Sequence, residues 1–158
     1  MAIFTIKDVF EFAVKIEEKG EDFYTRMEQK FEDSDLKQLF AGLAQAERNH
    51  KHTFLGMAEQ LGEFQESPVQ KEDFLAYMEA YTQNLIYNDS LTDTKVAAIE
   101  DVDGALIYAI NKELESVFYY QEIKNLIPAS EHNLIDGIIG EERSHVVHLA
   151  EVKKKFSR

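Results

Sequence analysis

Four segments of this chain place apolar residues at alternating steps of three and four, the period of a helix that buries one face. The apolar positions are Ile3, Ile6, Phe10, Ala13, Met27 and Phe31; Leu36, Phe40, Leu43, Phe54, Met57 and Leu61; Val102, Leu106, Ala109, Ile123 and Ile127; Ile135, Ile138, Leu149, Val152 and Phe156. Polar residues interrupt each stripe near its middle. Four amphipathic segments of this length predict an all-α fold, a four-helix bundle.

The composition agrees with long helices. The chain has 158 residues, of which only 7 are glycine and 2 are proline, and both residue types disfavour a helix interior. A chain of this length builds one hydrophobic core of ordinary size. We therefore expect a single domain over residues 1–158.

Charge and cysteine content exclude several classes of protein. The chain contains no cysteine, which excludes thiol catalysis and zinc or iron–sulfur sites with cysteine ligands. Its net charge of -13 disfavours nucleic acids and anionic membranes as partners and attracts cations. The N-terminal residues lack the features of a signal peptide, and no apolar run is long enough to cross a bilayer. We expect a cytoplasmic protein.

Short connections join the first helix to the second and the third to the fourth, which predicts two antiparallel hairpins. Asp33 or Ser34 is predicted to cap the second helix, Asp103 the third and Ser130 the fourth, and Pro128 is predicted to end the third helix.

The connection between the hairpins, residues 62–101, is too long to be a structureless loop in a compact domain. It contains a helical apolar pattern formed by Phe74, Leu75, Met78, Tyr81 and Leu85. We therefore predict a long crossover between the second and third helices that holds a helix of its own.

The two hairpins share a spacing pattern. In the first helix of each, a glutamate is followed by a small residue at the third position and a tyrosine at the seventh. In the second helix, a Glu-x-x-His motif follows a glycine. The two sets are Glu17, Gly20, Tyr24, Gly42, Glu47 and His50, and Glu113, Ser116, Tyr120, Gly137, Glu142 and His145. A duplicated hairpin packed with pseudo-twofold symmetry would bring both sets together at its axis.

The polar residues within the stripes need a shared explanation, because an ionised carboxylate in a bundle core costs several kcal/mol unless it is paired or binds metal. Four carboxylates and two imidazoles match the ligands of two-metal carboxylate bundles, and their oxygen and nitrogen donors suit iron or manganese. The alternative, that they lie on solvated faces, would also expose their apolar neighbours. The predicted metal ligands are Glu17, Glu47, His50, Glu113, Glu142 and His145.

Other residues near these positions leave alternatives open. Tyr24 and Tyr120 are either ordinary core aromatics or hydrogen-bond donors to a ligating carboxylate of another helix. Gly20 and Ser116 either make room for a bulky group opposite or leave an open face where oxygen or peroxide approaches the metals.

The remaining histidines and neighbouring glutamates are assigned to solvent-facing positions. His148 is either a surface residue or part of an access path. The residues expected to point away from the site are His52, His132, Glu18, Glu21, Glu115 and Glu141.

At this point the sequence resembles the ferritin-like superfamily and, within it, the rubrerythrin-like branch. Residues 13–24 (AVKIEEKGEDFY) are similar to the first helix of rubrerythrin-related proteins, and residues 113–120 (ELESVFYY) to the third. The resemblance implies a left-handed bundle with one long crossover and a non-haem di-iron centre with six ligands.

Two departures from that family affect the expected activity. Typical rubrerythrins add an iron module with cysteine ligands that delivers electrons, so a chain without cysteine needs an external electron donor protein. They also use an extra glutamate at the position of Ser116, which suggests a more symmetric site here.

The leading hypothesis is a di-iron oxidoreductase that reduces hydrogen peroxide or dioxygen by oxidising two bound ferrous ions, with manganese or a mixed-metal centre as other options. Exposed helix faces favour a homodimer. The alternatives are an iron storage or delivery protein without peroxidase turnover and an interaction scaffold that uses metal only for stability.

Overall fold

A computed structural model of the chain describes residues 6–61, 72–85 and 89–156. Within these ranges the regular structure is helical, and strands are absent. The helices are α1 (Ile6–Lys30), α2 (Ser34–Leu61), α3 (Glu72–Leu85), α4 (Asp89–Ala97), α5 (Val102–Ile123) and α6 (His132–Phe156), with 3₁₀ turns at Lys124–Leu126 and Ala129–Glu131. The prediction of an all-α fold is confirmed.

The four predicted helices correspond to α1, α2, α5 and α6. Residues 31–33 alone separate α1 from α2, and the two 3₁₀ turns lie between α5 and α6. In the described part of the chain, no helix is both long enough and apolar enough to cross a membrane.

Asp33 and Asp101 cap the helices that follow them. The Asp33 carboxylate accepts hydrogen bonds from the backbone N–H groups of Asp35 at 2.9 Å and Leu36 at 3.1 Å. The prediction of Asp103 as a cap is wrong, because α5 begins at Val102 and the Asp101 carboxylate accepts from the Gly104 N–H at 2.8 Å. Asp103 instead lies in the first turn, where a negative charge favours the helix dipole.

The predictions for Ser130 and Pro128 are also wrong. Ser130 lies in the 3₁₀ turn before α6, and its hydroxyl donates to the Glu131 carboxylate at 3.4 Å. Helix α5 ends at Ile123, well before Pro128. Pro128 instead disfavours helical backbone at the residue before it, and Ile127 is accordingly extended, with φ of -116° and ψ of 156°.

The connection between the hairpins contains two described helices, α3 and α4, where one was predicted. Met78 of α3 is completely buried, and the Tyr81 ring stacks on Tyr119 of α5 with a centroid distance of 5.7 Å. The side chains of Leu75 and Leu85 lie outside the described residues, as does Ile3 of the first stripe.

Contacts with α3 and α4 explain why α1 buries a wider face than its predicted stripe. Phe12 belongs to the same apolar cluster as Met78, and Phe23 belongs to the same cluster as Val96 of α4.

Two apolar clusters fill the bundle. The first joins the start of α1, the end of α2, the end of α5 and the start of α6, and its fully buried members include Phe10, Phe54, Tyr120 and Ile135. The second joins the opposite ends of the same helices and includes Tyr24, Phe40, Leu106 and Leu149. Each large side chain contributes roughly 1.5–3 kcal/mol by its burial. The polar interruptions of the stripes lie between these clusters.

Candidate metal centre

The six predicted ligands come together at the middle of the bundle. One glutamate comes from α1 and one from α5, and the Glu-x-x-His motifs come from α2 and α6. Five of the six residues are at least 96% buried: Glu17, Glu47, His50, Glu113 and Glu142. The side chain of His145 is 16% exposed.

The donor atoms form two groups that share two glutamates. The first consists of Glu17, Glu47, His50 and Glu142, and the second of Glu47, Glu113, Glu142 and His145. Within each group, one donor atom from every residue lies within 4.8 Å of the others. Two overlapping groups of this size could hold two cations, with Glu47 and Glu142 between them.

Several buried donor atoms at the centre lack a hydrogen-bond partner among the described residues. These atoms are Glu17 Oε2, Glu47 Oε1, Glu142 Oε1 and His50 Nδ1. His50 Nδ1 lies 3.1 Å from Glu142 Oε1 and 3.6 Å from Glu17 Oε2, but without the alignment of a hydrogen bond. Buried polar atoms without partners cost roughly 1–3 kcal/mol each. The residues therefore fit metal ions, which would bind the unpartnered atoms.

Burial and neighbouring carboxylates raise the pKa of three of the four glutamates, Glu17, Glu47 and Glu113. Burial, with the charges of Glu17 and Glu142, raises the pKa of Glu47 well above its ordinary value. Burial and the hydrogen bond with Glu142 raise the pKa of Glu113 to about 8. Burial would also raise the pKa of Glu142, but interactions with Glu113, His145 and His50 lower it. Positive charge is needed for all four to ionise together.

The two histidines supply positive charge in the metal-free protein. Burial alone would lower the pKa of each imidazole, but Glu142 and Glu17 raise that of His50 to about 11. Glu113 and Glu142 likewise raise the pKa of His145 to about 9. The two rings stack with centroids 6.1 Å apart. Metal ions would displace protons from these nitrogens.

The two tyrosines cross between the hairpins. The Tyr24 hydroxyl of α1 donates a hydrogen bond to Glu113 Oε1 of α5, and the Tyr120 hydroxyl of α5 donates to Glu17 Oε1 of α1. Both are at least 98% buried, and burial raises the pKa of each well above its ordinary value. They remain neutral donors, and each fixes one oxygen of a candidate ligand from the other hairpin.

Gly20 makes room for the Glu47 carboxylate. A Cβ atom at position 20 would lie 3.0 Å from Glu47 Cδ and would overlap its Oε2. At the equivalent position of α5, the Ser116 hydroxyl donates to the Lys112 carbonyl at 3.1 Å. Both alternatives for these positions find support, because the Glu47 carboxylate lies opposite Gly20 and because Gly20 and Ser116 both line a cavity beside the candidate centre.

Glu141 lies on an exposed rim face, as the sequence predicted, but it also contacts one of the predicted ligands. Its carboxylate Oε2 lies 3.0 Å from Nε2 of His50, although the side chain is 62% exposed. The contact fixes Nε2 of the imidazole and leaves Nδ1 facing the centre, as second carboxylates commonly do for metal-binding histidines. The equivalent position of α2 is Ala46, so the repeat gave no signal for this residue.

The other neighbouring glutamates lie on outer faces. Glu21 accepts from Arg48 at 2.8 Å and from Lys51 at 3.0 Å, and these interactions lower its pKa, with that of Lys51 the largest. Glu115 accepts from Lys112 at 2.7 Å. Glu18 is exposed.

The remaining histidines also lie outside the centre. His52 and His148 are exposed. His132 Nε2 lies 3.3 Å from the Ile127 carbonyl.

A helix bundle with this carboxylate and histidine cluster defines the class of ferritin-like di-metal carboxylate proteins. The chain matches the Rubrerythrin family model over residues 8–153, and it therefore belongs to the rubrerythrin family. The resemblance inferred from the sequence is confirmed. No curated protein matches the chain.

The fold is similar to that of a Thermotoga maritima protein whose crystal structure, at 2.30 Å resolution, is described as that of a ferritin-like diiron-carboxylate protein. The TM-score is 0.69 at 23% sequence identity, over 98% of this chain and 97% of that one. This likeness shows that the fold is ferritin-like.

Proposed function

We propose that this protein is a non-haem di-iron oxidoreductase that reduces hydrogen peroxide or dioxygen. The residues that would hold the two ions are Glu17, Glu47, His50, Glu113, Glu142 and His145, of which Glu47 and Glu142 belong to both groups of donor atoms. The observation that carries the proposal is the convergence of four unpartnered buried donor atoms between two apolar clusters. Family membership supports a di-metal carboxylate centre.

The chain's own residues would mainly orient the ligands and exclude water. Because Tyr120 holds Oε1 of Glu17, Oε2 is left facing the centre. Tyr24 holds Glu113 in the same way, and Glu141 keeps Nδ1 of His50 turned inward. The apolar clusters restrict solvent on both sides, which strengthens electrostatic interactions within the site.

Two bound ferrous ions would supply the electrons. Reduction of hydrogen peroxide breaks its O–O bond and consumes two electrons and two protons to give two water molecules. Four carboxylates favour the higher charge of ferric ions, so this ligand set favours the oxidised state. We further propose that an external electron donor protein restores the reduced state, and that the protein acts as a cytoplasmic homodimer.

The test is anaerobic loading with ferrous iron followed by addition of peroxide in a stopped-flow instrument. We expect about two iron ions per chain by elemental analysis and an absorbance change when peroxide is added. Glu17→Gln, which removes a donor from one of the two groups, should keep about one iron ion per chain and lose turnover, whereas Glu18→Gln, on the exposed face of the same helix, should keep both ions and turnover. Stoichiometric iron without consumption of either peroxide or dioxygen would contradict the oxidoreductase proposal.

Iron storage or delivery is a second candidate, which the net charge of -13 favours because such a surface gathers cations. Storage requires loading far above two ions per chain or a large hollow assembly. Size-exclusion chromatography with iron analysis of the loaded protein separates the two functions.

A further inference from the structure

A cavity of about 310 Å³ lies against one face of the candidate metal centre. Glu47 and Glu113, two of the proposed ligands, form part of its lining. Tyr81 of α3 and Val96 of α4 also line it, so the crossover helices contribute to its wall.

The walls of this cavity are mostly aromatic and apolar. Phe23 and Tyr108 pack against each other with ring centroids 4.7 Å apart. The Tyr119 hydroxyl donates to the Val9 carbonyl at 2.8 Å, so its ring faces the cavity as an apolar surface. Burial raises the pKa of Tyr81 and of Tyr108 to about 12, so both side chains are uncharged at neutral pH.

Charged residues surround the outer edge of the cavity and partly neutralise one another. Lys112 lies 2.7 Å from the Glu115 carboxylate and 5.6 Å from the centre of the Tyr108 ring. The cavity therefore has a charged edge, an apolar body and a carboxylate end, which is the usual organisation of a small-molecule site.

The volume of the cavity favours a ligand larger than hydrogen peroxide. At about 30 Å³ for each water-sized group, the cavity holds roughly ten such groups. Hydrogen peroxide fills two of them and gains little from aromatic walls. A molecule with an apolar ring and one oxygen-bearing head fills the space.

We propose that this cavity binds a small organic hydroperoxide, with its hydrocarbon body against the rings of Phe23 and Tyr108 and the side chain of Val96, and its head group toward Glu47 and Glu113. The choice of a hydroperoxide head rests on the proposed function, whereas binding of the hydrocarbon body does not. Reduction would break the O–O bond and form an alcohol and water, using two protons and the two electrons of the loaded centre.

The test uses metal-free protein and 2-phenyl-2-propanol, the unreactive alcohol that corresponds to cumene hydroperoxide. We expect a dissociation constant of about a millimolar by NMR titration. Intermolecular NOEs should connect the probe's ring protons to the Val96 methyl groups, and this measurement needs no variant. Absence of binding, or NOEs to another surface, would overturn the proposal.

Val96→Phe should fill the cavity and weaken probe binding by about tenfold. The matched control is Val147→Phe, the same substitution at a 58% exposed site on α6. In the iron-loaded protein, Val96→Phe should lower kcat/KM for cumene hydroperoxide by a larger factor than kcat/KM for hydrogen peroxide. Equal binding by both variants would contradict the proposed site.

The two proposals fail in different ways. Turnover of hydrogen peroxide without probe binding would contradict the proposed binding site for an organic hydroperoxide. It would not contradict the proposal that the protein is an oxidoreductase. Probe binding at Val96 without turnover of any peroxide would establish the binding site and refute the reduction of a hydroperoxide.

Discussion

The α1–α2 hairpin and the α5–α6 hairpin carry the same donors but not the same supporting residues. Each provides two glutamates, one histidine and one tyrosine that bonds to the other hairpin. They differ at Gly20 and Ser116, and at Ala46 and Glu141. The repeat thus determines the set of donors, while unrepeated neighbours determine how each donor is held.

The largest effect on metal binding is expected from a substitution of a glutamate that belongs to both donor groups. Glu47→Gln should reduce the iron content from about two ions per chain to nearly none, because both donor groups include this residue. Glu17→Gln, which belongs to one group only, should retain about one ion. Elemental analysis after anaerobic loading and gel filtration gives both values.

Folding controls distinguish lost ligation from lost structure. Without metal, Glu47→Gln should melt no lower than the parent protein, because burial and neighbouring carboxylates already disfavour the charged form of Glu47. An unchanged iron content in Glu47→Gln would contradict the shared position.

Metal binding should strengthen with pH in both halves. Proton occupancy is high in the metal-free protein, since the pKa is about 11 for His50, about 9 for His145 and about 8 for Glu113. Binding must release protons, so lower pH weakens it and higher pH favours it. With about three protons released, one from each of these groups, the overall constant for two ions should rise roughly a thousandfold per pH unit at neutral pH.

Calorimetry with manganese(II) between pH 6 and pH 8, in buffers of different ionisation enthalpy, counts the released protons. A proton count near zero would mean that the imidazoles and Glu113 are already deprotonated before metal binds.

The Gly20 and Ser116 pair tests the first difference between the hairpins. Gly20→Ala should weaken metal binding by roughly tenfold to a hundredfold, because its Cβ would displace the Glu47 carboxylate. Ser116→Ala should change it by less than about threefold, since the Ser116 hydroxyl bonds only to its own helix backbone among the contacts described.

Gly20→Ala should stabilise helix α1 although it weakens metal binding. Alanine favours a helix interior by about 1 kcal/mol over glycine, so the metal-free variant should not lose helicity by circular dichroism. Metal affinity equal to that of the parent would show that Glu47 can move aside without cost.

Glu141 tests the second difference. Glu141→Ala removes the partner of His50 Nε2 and should weaken binding at one of the two metal positions by about tenfold. The other position should keep its affinity, because His145 contacts Glu113 and Glu142 instead. A two-phase titration with manganese, followed by ¹⁵N-histidine NMR to report the tautomer, measures this effect.

Much of the fold could be predicted from the sequence, because the apolar stripes cover four helices and carboxylates within a stripe must meet inside the bundle. The six central donors follow from that argument. The sequence could not show which aspartate caps α5, since Asp101 and Asp103 both lie at the start of that helix. The face that Glu141 presents depends on how α6 packs beside α2, and a stripe pattern does not specify packing.

The sequence suggested an open face at Gly20 and Ser116, which both line the cavity, but it did not show the rest of the wall. Tyr81 and Val96 on the crossover helices complete that wall, and these helices have no counterpart in the repeat. Phe23 is buried for the same reason, outside the predicted stripe of α1. Tertiary contacts between elements far apart in sequence account for these features.

Smaller effects than those of the carboxylates should come from the tyrosines, where the two halves are most alike. Tyr24→Phe leaves Oε1 of Glu113 without its donor, and Tyr120→Phe does the same to Glu17. Each substitution should weaken metal binding by a similar factor, on the order of threefold to tenfold, since one hydrogen bond to a charged group contributes about 1.5–3 kcal/mol and part of it is regained by the metal. Phe118→Leu, at a 46% exposed site on α5, serves as the aromatic control. A large difference between the two tyrosine variants would mean that the asymmetry of Gly20 and Glu141 extends to the carboxylates themselves.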